Sequence, residues 1–474
     1  MPEISSRLRG WLRALDLDRF DLIVGAVVAA LIAALAGVVL AGDQIGVYVA
    51  ENGYGPAGSV NGSQPVRVRF SDDMAADSVE ARFRIAPDIT GDFSWTGQHT
   101  LIFTPRQPFA AGQTYTVTIE AGARAARRDA ALKDDLTWTF DVQLPRAAFL
   151  APSDAYQRNV LMTDLQTGDT FQLTTAEHGV EDFAISPNGN QIAYSRYNPD
   201  GTADLWLRDL LNNADRQLTQ CIDALCHAPA WKPDGTQIAY QREEFNTGLD
   251  MGLSPSRVWV VDVATLDTRL LFADSQILGT EPTWSPDGRR IAVFDATVSG
   301  IRVHDYEANT DAVIETAQGV VGQFSPDGRR LVYPVLARGL IGQQFYTHLE
   351  MADLDTLSRR SISGGDDTPV EDSGAVWSPD GSRLAVARRY LDGRYTNGKQ
   401  IYLLDPDTGE AEPLVVDPAY NHSAMRWDAS GRRIVFQRFS LGGPGARPEI
   451  WTVDVKTGAM EQVADNAFLP AWVP

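Results

Sequence analysis

The chain has 474 residues, 62 acidic against 41 basic, and a formal net charge of −21. That length leaves room for two or three domains with a sizeable core, and so acidic a balance argues against a nucleic-acid partner held through phosphate contacts. Only two cysteines occur, Cys221 and Cys226, so the fold does not depend on disulfides.

Residues 1–21 carry Arg7, Arg9, Arg13 and Arg19, and residues 22–41 form an uncharged run of Ala, Val, Leu and Ile. A helix over that run, at about 1.5 Å per residue, spans a hydrocarbon core of roughly 30 Å. The next basic residue is Arg67, so the positive-inside rule predicts a cytoplasmic tail over 1–21 and a transmembrane signal anchor over 22–41. The domains that follow are then extracytoplasmic, on a single-pass cell-membrane protein. Val39-Leu40-Ala41 leaves a cleaved signal peptide as the alternative, although the run exceeds the ~7–15 residues of a signal core.

Residues 42–63, rich in Gly and Ser from Gly53 onward, read as a linker or an irregular first edge. Over 64–143 short alternating runs separated by turn residues predict a β-sandwich. The runs include Val66 to Phe70, Thr100 to Phe103, Tyr115 to Ile119 and Leu136 to Phe140. Phe70-Ser71-Asp72-Asp73-Met74, Phe103-Thr104-Pro105, Pro108-Phe109, Tyr115-Thr116-Val117 and Trp138-Thr139-Phe140 resemble the SbsA-type bacterial Ig-like domain. That resemblance implies a spacer or adhesion unit of the cell envelope.

From residue 145 to 474 one sentence repeats. Trp284-Ser285-Pro286-Asp287-Gly288 precedes Ile291-Ala292-Val293, Trp377-Ser378-Pro379-Asp380-Gly381 precedes Leu384-Ala385-Val386, and Trp231-Lys232-Pro233-Asp234-Gly235 precedes Ile238-Ala239-Tyr240. Pro presets the first corner of a tight turn and Gly takes the left-handed position, so each copy is a β-hairpin. A second marker, the aspartate closing the third strand, falls at Asp164, Asp209, Asp262, Asp305, Asp353, Asp405 and Asp454. The intervals, about 43 to 53 residues, fit a four-stranded propeller blade. Each of these carboxylates suits the capping of backbone N–H groups in the next turn.

Seven aspartates stand against six turn glycines: Gly189, Gly235, Gly288, Gly328, Gly381 and Gly431. Leu469-Pro470-Ala471-Trp472 repeats the opening of Ala228-Pro229-Ala230-Trp231 and then stops. The carboxyl-terminal strand is therefore expected to become the innermost strand of the first blade and close the ring. The expectation is all-β: a transmembrane helix, an Ig-like sandwich and a seven-bladed propeller, with six blades as the alternative if residues 318–346 fall short of a blade. This stretch resembles the WD40-like repeat propeller of the TolB family, which implies protein–protein contacts in the cell envelope. The family's usual propeller has six blades and a different partner domain.

The chain carries no Gly-x-Ser-x-Gly elbow, P-loop or His-Glu-x-x-His, so no cofactor, metal or catalytic residue is expected. Outside the cytoplasm, Cys221 and Cys226 favour a short-range disulfide that stiffens their loop. Just past each second strand, Arg196, Arg242, Arg388 and Arg438 recur on the face opposite the Pro-Asp-Gly turns, accompanied by Tyr197, Tyr390 and Phe439. Such a ring can receive an anionic peptide or glycan through forked hydrogen bonds. The competing reading pairs each arginine with a nearby acid such as Glu243, Glu244 or Asp392. The acidic loop Asp366-Asp367…Glu371-Asp372 reads as solvated, since its spacing fits no calcium loop. The function expected is a non-enzymatic, membrane-anchored binding scaffold for a protein or cell-envelope glycan. The alternatives are a carbohydrate-active lyase or hydrolase with an active site in the propeller funnel, and a sensor subunit.

Overall fold

The computed structural model describes residues 19–42 and 46–473, apart from 61, 63, 107, 145, 246–251, 275, 339–344, 366 and 444. Arg7, Arg9 and Arg13 of the expected tail and Asp366 of the acidic loop thus lie outside the described residues. The chain folds as two compact units. One takes in Pro65–Arg106 and Thr114–Phe140, and the other Asp141–Pro474 with the segments Ser59–Gln64 and Gln107–Gln113.

The amino-terminal expectation needs correcting. A helix does form over Arg19–Gly42, yet among the described residues no helix is long and apolar enough to cross a membrane. The transmembrane span expected over 22–41 is therefore withdrawn, and with it the membrane contact through this helix.

The sandwich consists of two four-stranded sheets. Gly91–Thr96, Thr100–Pro105, Val66–Phe70 and Val49–Gly55 make one, and Gly58–Val60, Leu136–Val142, Thr114–Ile119 and Phe83–Ala86 make the other. Alternation carries the fold: Val66, Val68 and Phe70 are buried while Arg67 and Arg69 face out. The Gly-rich stretch before residue 64 supplies an edge strand to each sheet, which its composition concealed.

Among the described residues the second unit contains seven four-stranded propeller blades: five are separate sheets, and blades 2 and 3 are joined into one eight-stranded sheet by a parallel bridge between Ala203 and Leu225. Blade 1 has Phe468–Val473 innermost, then Arg146–Ala151, Asn159–Asp164 and Thr170–Gln172. Val473 pairs with Arg146 and Trp472 with Ala147, so the two ends of the propeller share one sheet. Blades 2 to 7 start at the inner strands Val180–Ile185, Ala224–Trp231, Gly279–Trp284, Gln323–Phe324, Val370–Trp377 and Tyr420–Trp427.

The recurrent turns behave as their chemistry requires. In blade 4 the Gly288 N–H donates to the Ser285 carbonyl at 2.8 Å, and Ser285 Oγ donates to the Asp287 carboxylate at 2.5 Å. Gly288 has φ +70°, a conformation that a side chain would strain. On the same side of the ring, each closing aspartate accepts two backbone N–H groups from the following turn. Asp405 takes those of Asp407 and Thr408 at 2.8 and 2.9 Å, and Asp454 takes those of Lys456 and Thr457 at 3.1 and 2.9 Å.

Between blades the packing is apolar, as where Leu205, Leu207 and Leu218 of blade 2 meet Trp231, Ile238 and Tyr240 of blade 3. One polar contact recurs across these joints. The indole N–H of Trp231, Trp284, Trp427 and Trp472 donates to the carbonyl of Ala184, Ala230, Val376 and Arg426, at 3.1, 3.2, 3.1 and 2.9 Å. Each acceptor lies on the inner strand of the preceding blade. Blades 2 and 5 depart from the pattern: Ile185 holds the tryptophan position in blade 2, and the inner strand of blade 5 has only two residues and carries Phe324 there. Trp377 of blade 6 buries its N–H without a partner, and the Arg330 guanidinium covers its ring at 4.8 Å instead.

Two outcomes follow. Trp231→Phe removes one donor and keeps the ring, so urea unfolding should show a loss of about 1 kcal/mol; an unchanged midpoint rejects the latch. Hydrogen bonds from Arg432 and the Thr457 N–H hold the Asp454 carboxyl down at about 2, below the ~3.9 of an unfolded chain. Its contribution is therefore complete above about pH 4 and disappears as pH falls toward 2. Asp454→Asn should flatten that acid limb in urea midpoints measured from pH 5 to 2.

Candidate functional site

Chain direction gives the ring two unlike faces. Inner strands end at the Pro-Asp-Gly turns and third strands end at the capped aspartates, so both kinds of tight turn share one face. The opposite face carries the connections from second to third strands and from one blade to the next. Arg196, Arg242, Arg388 and Arg438 all stand at the ends of second strands on this loop face.

Their charges are largely met from within. Arg388 is buried and forks onto Asp372, with Nε and Nη2 each 2.7 Å from a carboxylate oxygen. Arg438 donates to Glu449 at 2.8 Å and lies between the rings of Tyr420 and Trp451, at 3.9 and 3.8 Å. Arg242 stands 3.5 Å from Glu244 and 5.1 Å from the Trp259 ring. Among the described residues only Arg196 of the four has no ion pair, and it covers Trp206 at 4.9 Å.

The companions divide their roles. Tyr197 donates to Glu181 at 2.8 Å, Tyr390 is covered by Arg394 at 3.6 Å, and Phe439 is exposed. Asp392, a candidate partner for the column, pairs with Arg394, and in the acidic loop Glu371 holds Arg389 and Lys399. Cys221 and Cys226 are joined by a disulfide with Cα atoms 6.2 Å apart. The Cys221 N–H donates to the buried Asp204 at 2.7 Å, which ties this loop to blade 2.

The central channel holds what the sequence did not reveal. Inner strands bulge there: Ala228, Glu281, Gly322, Gly374, Ala424 and Leu469 all adopt positive φ. The bulges interrupt period-2 alternation and turn residues toward the axis. A cavity of about 390 Å³ is lined by Ala228, Glu281, Val320, Gly374 and Arg426, among others. Glu281 and Arg426 are both solvent-exposed within it. Arg426 donates to the Met425 carbonyl at 2.8 Å, and Glu281 accepts the Val321 N–H at 3.2 Å. Among the described residues, neither makes an ion pair. Although both side chains reach solvent, the surrounding channel walls strip part of their hydration, which draws the Arg426 pKa down and pushes the Glu281 carboxyl up. Aligning the inner strands on their tryptophans exposes the signal, since Arg426 stands where the other latched strands have Ala230, Thr283 and Ala471.

Beside the cavity, on the inner strands of blades 2 and 3, His227 lies between two acids. Its Nδ1 is 3.8 Å from Asp182 and its Nε2 is 3.7 Å from Glu243. Asp182 accepts the Ala228 N–H at 2.6 Å through one oxygen, while the other is buried without a partner. Burial pushes its carboxyl up to about 7. Among the described residues no group of three or more His, Cys, Asp or Glu side chains is placed to hold a metal ion.

Residues 53–142 match the bacterial Ig-like domain family. Dipeptidyl-peptidase 5 of Porphyromonas gingivalis is 23% identical over 336 residues, covering 60% of this chain and 48% of that protein. The chain thus spans about half the length of this curated relative. TolB from Acinetobacter baumannii is similar over 90% of this chain and 89% of its own, at 14% identity and a TM-score of 0.42. A prolyl endopeptidase covers 82% of this chain and 51% of its own, at 11% identity and a TM-score of 0.50. At such identities the likeness to solved structures reaches the fold alone; the Ig-like domain rests on the family match and the propeller on its own sheet order.

Arg388→Ala leaves Asp372 buried without its cation and should cost about 3–5 kcal/mol in denaturant unfolding. A loss below about 1 kcal/mol, the range of an exposed pair, would mean that this arginine is available to a ligand.

Proposed function

We propose that this protein is a non-enzymatic, extracytoplasmic scaffold whose propeller holds a protein partner on its loop face. The observation that carries the reading is the distribution of exposed aromatic side chains. Tyr156, Phe345, Tyr395 and Phe439 are all exposed on loop-face connections, whereas the large apolar side chains exposed at the turn-face turns or directly after them, among the described residues, are Leu211, Leu266, Leu357, Met460 and a single aromatic, Phe171. Aromatic residues are enriched where proteins dock, and adaptable loops on a rigid frame are where binding concentrates. The paired and stacked arginines hold that frame stiff beneath the loops. The disulfide supports an oxidising compartment.

A second reading, an enzyme acting in the funnel, is favoured by one observation. His227 lies beside Asp182, whose carboxyl is pushed up to about 7, in the range where general acid–base groups work. A photo-crosslinking residue placed at position 345 or 439 in cells should trap a polypeptide, and one at position 211 or 357 should not. Crosslinks confined to 211 and 357 would reject the docking face.

A further inference from the structure

The channel carries one acid and one base that share a cavity and do not neutralise each other. Glu281 lies on blade 4 and Arg426 on blade 7, so they occupy well-separated walls of a seven-bladed ring. Both line the same cavity of about 390 Å³. Each side chain is held from behind, Glu281 by the Val321 N–H and Arg426 by the Met425 carbonyl. Neither meets an opposite charge among the described residues.

That arrangement differs from the forked and paired arginines elsewhere in the ring, where Arg388 is met by Asp372, Arg389 by Glu371 and Arg438 by Glu449. Charges drawn into a narrow channel lose part of their hydration, and the loss is offset only when a partner arrives. Here each wall needs a partner of the opposite sign. The walls between them are uncharged and include Pro229, Pro282, Val320, Pro334, Val376 and Met425. Apolar walls with a few convergent polar groups, in a volume of about 300–1,000 Å³, are the usual form of a small-ligand site.

We propose that the channel binds a short peptide with both ends free, its carboxylate on the Arg426 guanidinium and its ammonium on the Glu281 carboxylate. A guanidinium suits a terminal carboxylate because its planar fork can donate two parallel N–H bonds. The ammonium is a compact donor that one carboxylate oxygen satisfies, and Glu281 has one oxygen left after the Val321 N–H. The two ends give the ligand a direction across the channel. Side-chain selectivity is low, because the walls between the charges offer apolar surface and few donors. The inference rests on the reading of the propeller as a binding scaffold and names a ligand for its channel. The loop face is a separate surface.

Calorimetric titration of the full chain with Ala-Ala and Ala-Ala-Ala, and with their N-acetyl and C-amide forms, tests it. Free peptides should bind at least tenfold more tightly than either capped form. Arg426→Ala should remove the penalty for C-amidation and leave that for N-acetylation, and Glu281→Gln should do the reverse. Arg426→Lys, which keeps the charge, should retain most of the effect. Equal affinities for free and capped peptides, or no heat from any of them, overturn the proposal. If a variant unfolds, the capped series on the unaltered protein decides alone. Loss of crosslinks at positions 345 and 439 is a different failure and leaves this titration untouched.

Discussion

The ring depends on a contact that no single blade can make: an indole N–H reaching into the inner strand of its neighbour. Backbone hydrogen bonds run mostly within each sheet; the few that cross between blades include the Val180 N–H to the Arg158 carbonyl, the His422 N–H to the Lys399 carbonyl and a parallel bridge between Ala203 and Leu225. What joins one blade to the next is apolar packing, which is strong and has no preferred direction. Tryptophan adds direction. Its ring fills the wedge between two sheets while its N–H fixes the depth at which the inner strands align. Repeated at Trp231, Trp284, Trp427 and Trp472, the latch sets the bore of the channel. Closure by Phe468–Val473 then gives the first blade the inner strand it otherwise lacks.

The fold was legible because the same residues do the same work seven times. A Pro-Asp-Gly turn needs a glycine with positive φ, and a third-strand turn needs a carboxylate for two N–H groups. Both requirements are local and survive in one sequence. Ring closure was legible for a related reason, since a repeat unit missing at one end appeared at the other. The helix was legible as a helix, but among the described residues it is not long and apolar enough to cross a membrane. The edge strands Val49–Gly55 and Gly58–Val60 hid behind glycine and serine, because an edge strand in a sandwich needs few apolar side chains.

The candidate site was legible only in part. Arg388 and Arg438 were visible as a column, but their partners Asp372 and Glu449 sit directly across from them on neighbouring strands. Register supplies those pairs, and spacing along the chain does not. Glu281 and Arg426 were hidden for a different reason. The bulges at residues 281 and 424 shift the alternation of the inner strands, so a period-2 reading assigns side chains there to the wrong side. The outcome is a division of labour between charges. Peripheral arginines are forked and stacked, which makes them structural, whereas the two channel charges stand apart and available.

The irregular fifth blade makes the joints of the ring unlike one another. Its inner strand is two residues long, Phe324 offers no N–H to the blade before it, and Trp377 finds no acceptor in the blade behind it. Two consecutive joints therefore lack the indole contact and use other side chains: Arg290 donates to the Gly328 carbonyl and to Asp355 across one, and His348 and Arg360 reach the Val370 and Pro406 carbonyls across the other. The covalent ends of the propeller, by contrast, meet in blade 1 under a full antiparallel ladder and beside the Trp472 latch. These two joints lie on the far side of the ring from its termini. They border the cavity through Val320, Val332 and Leu349, so that part of the channel wall is positioned by arginine and histidine contacts in place of the indole.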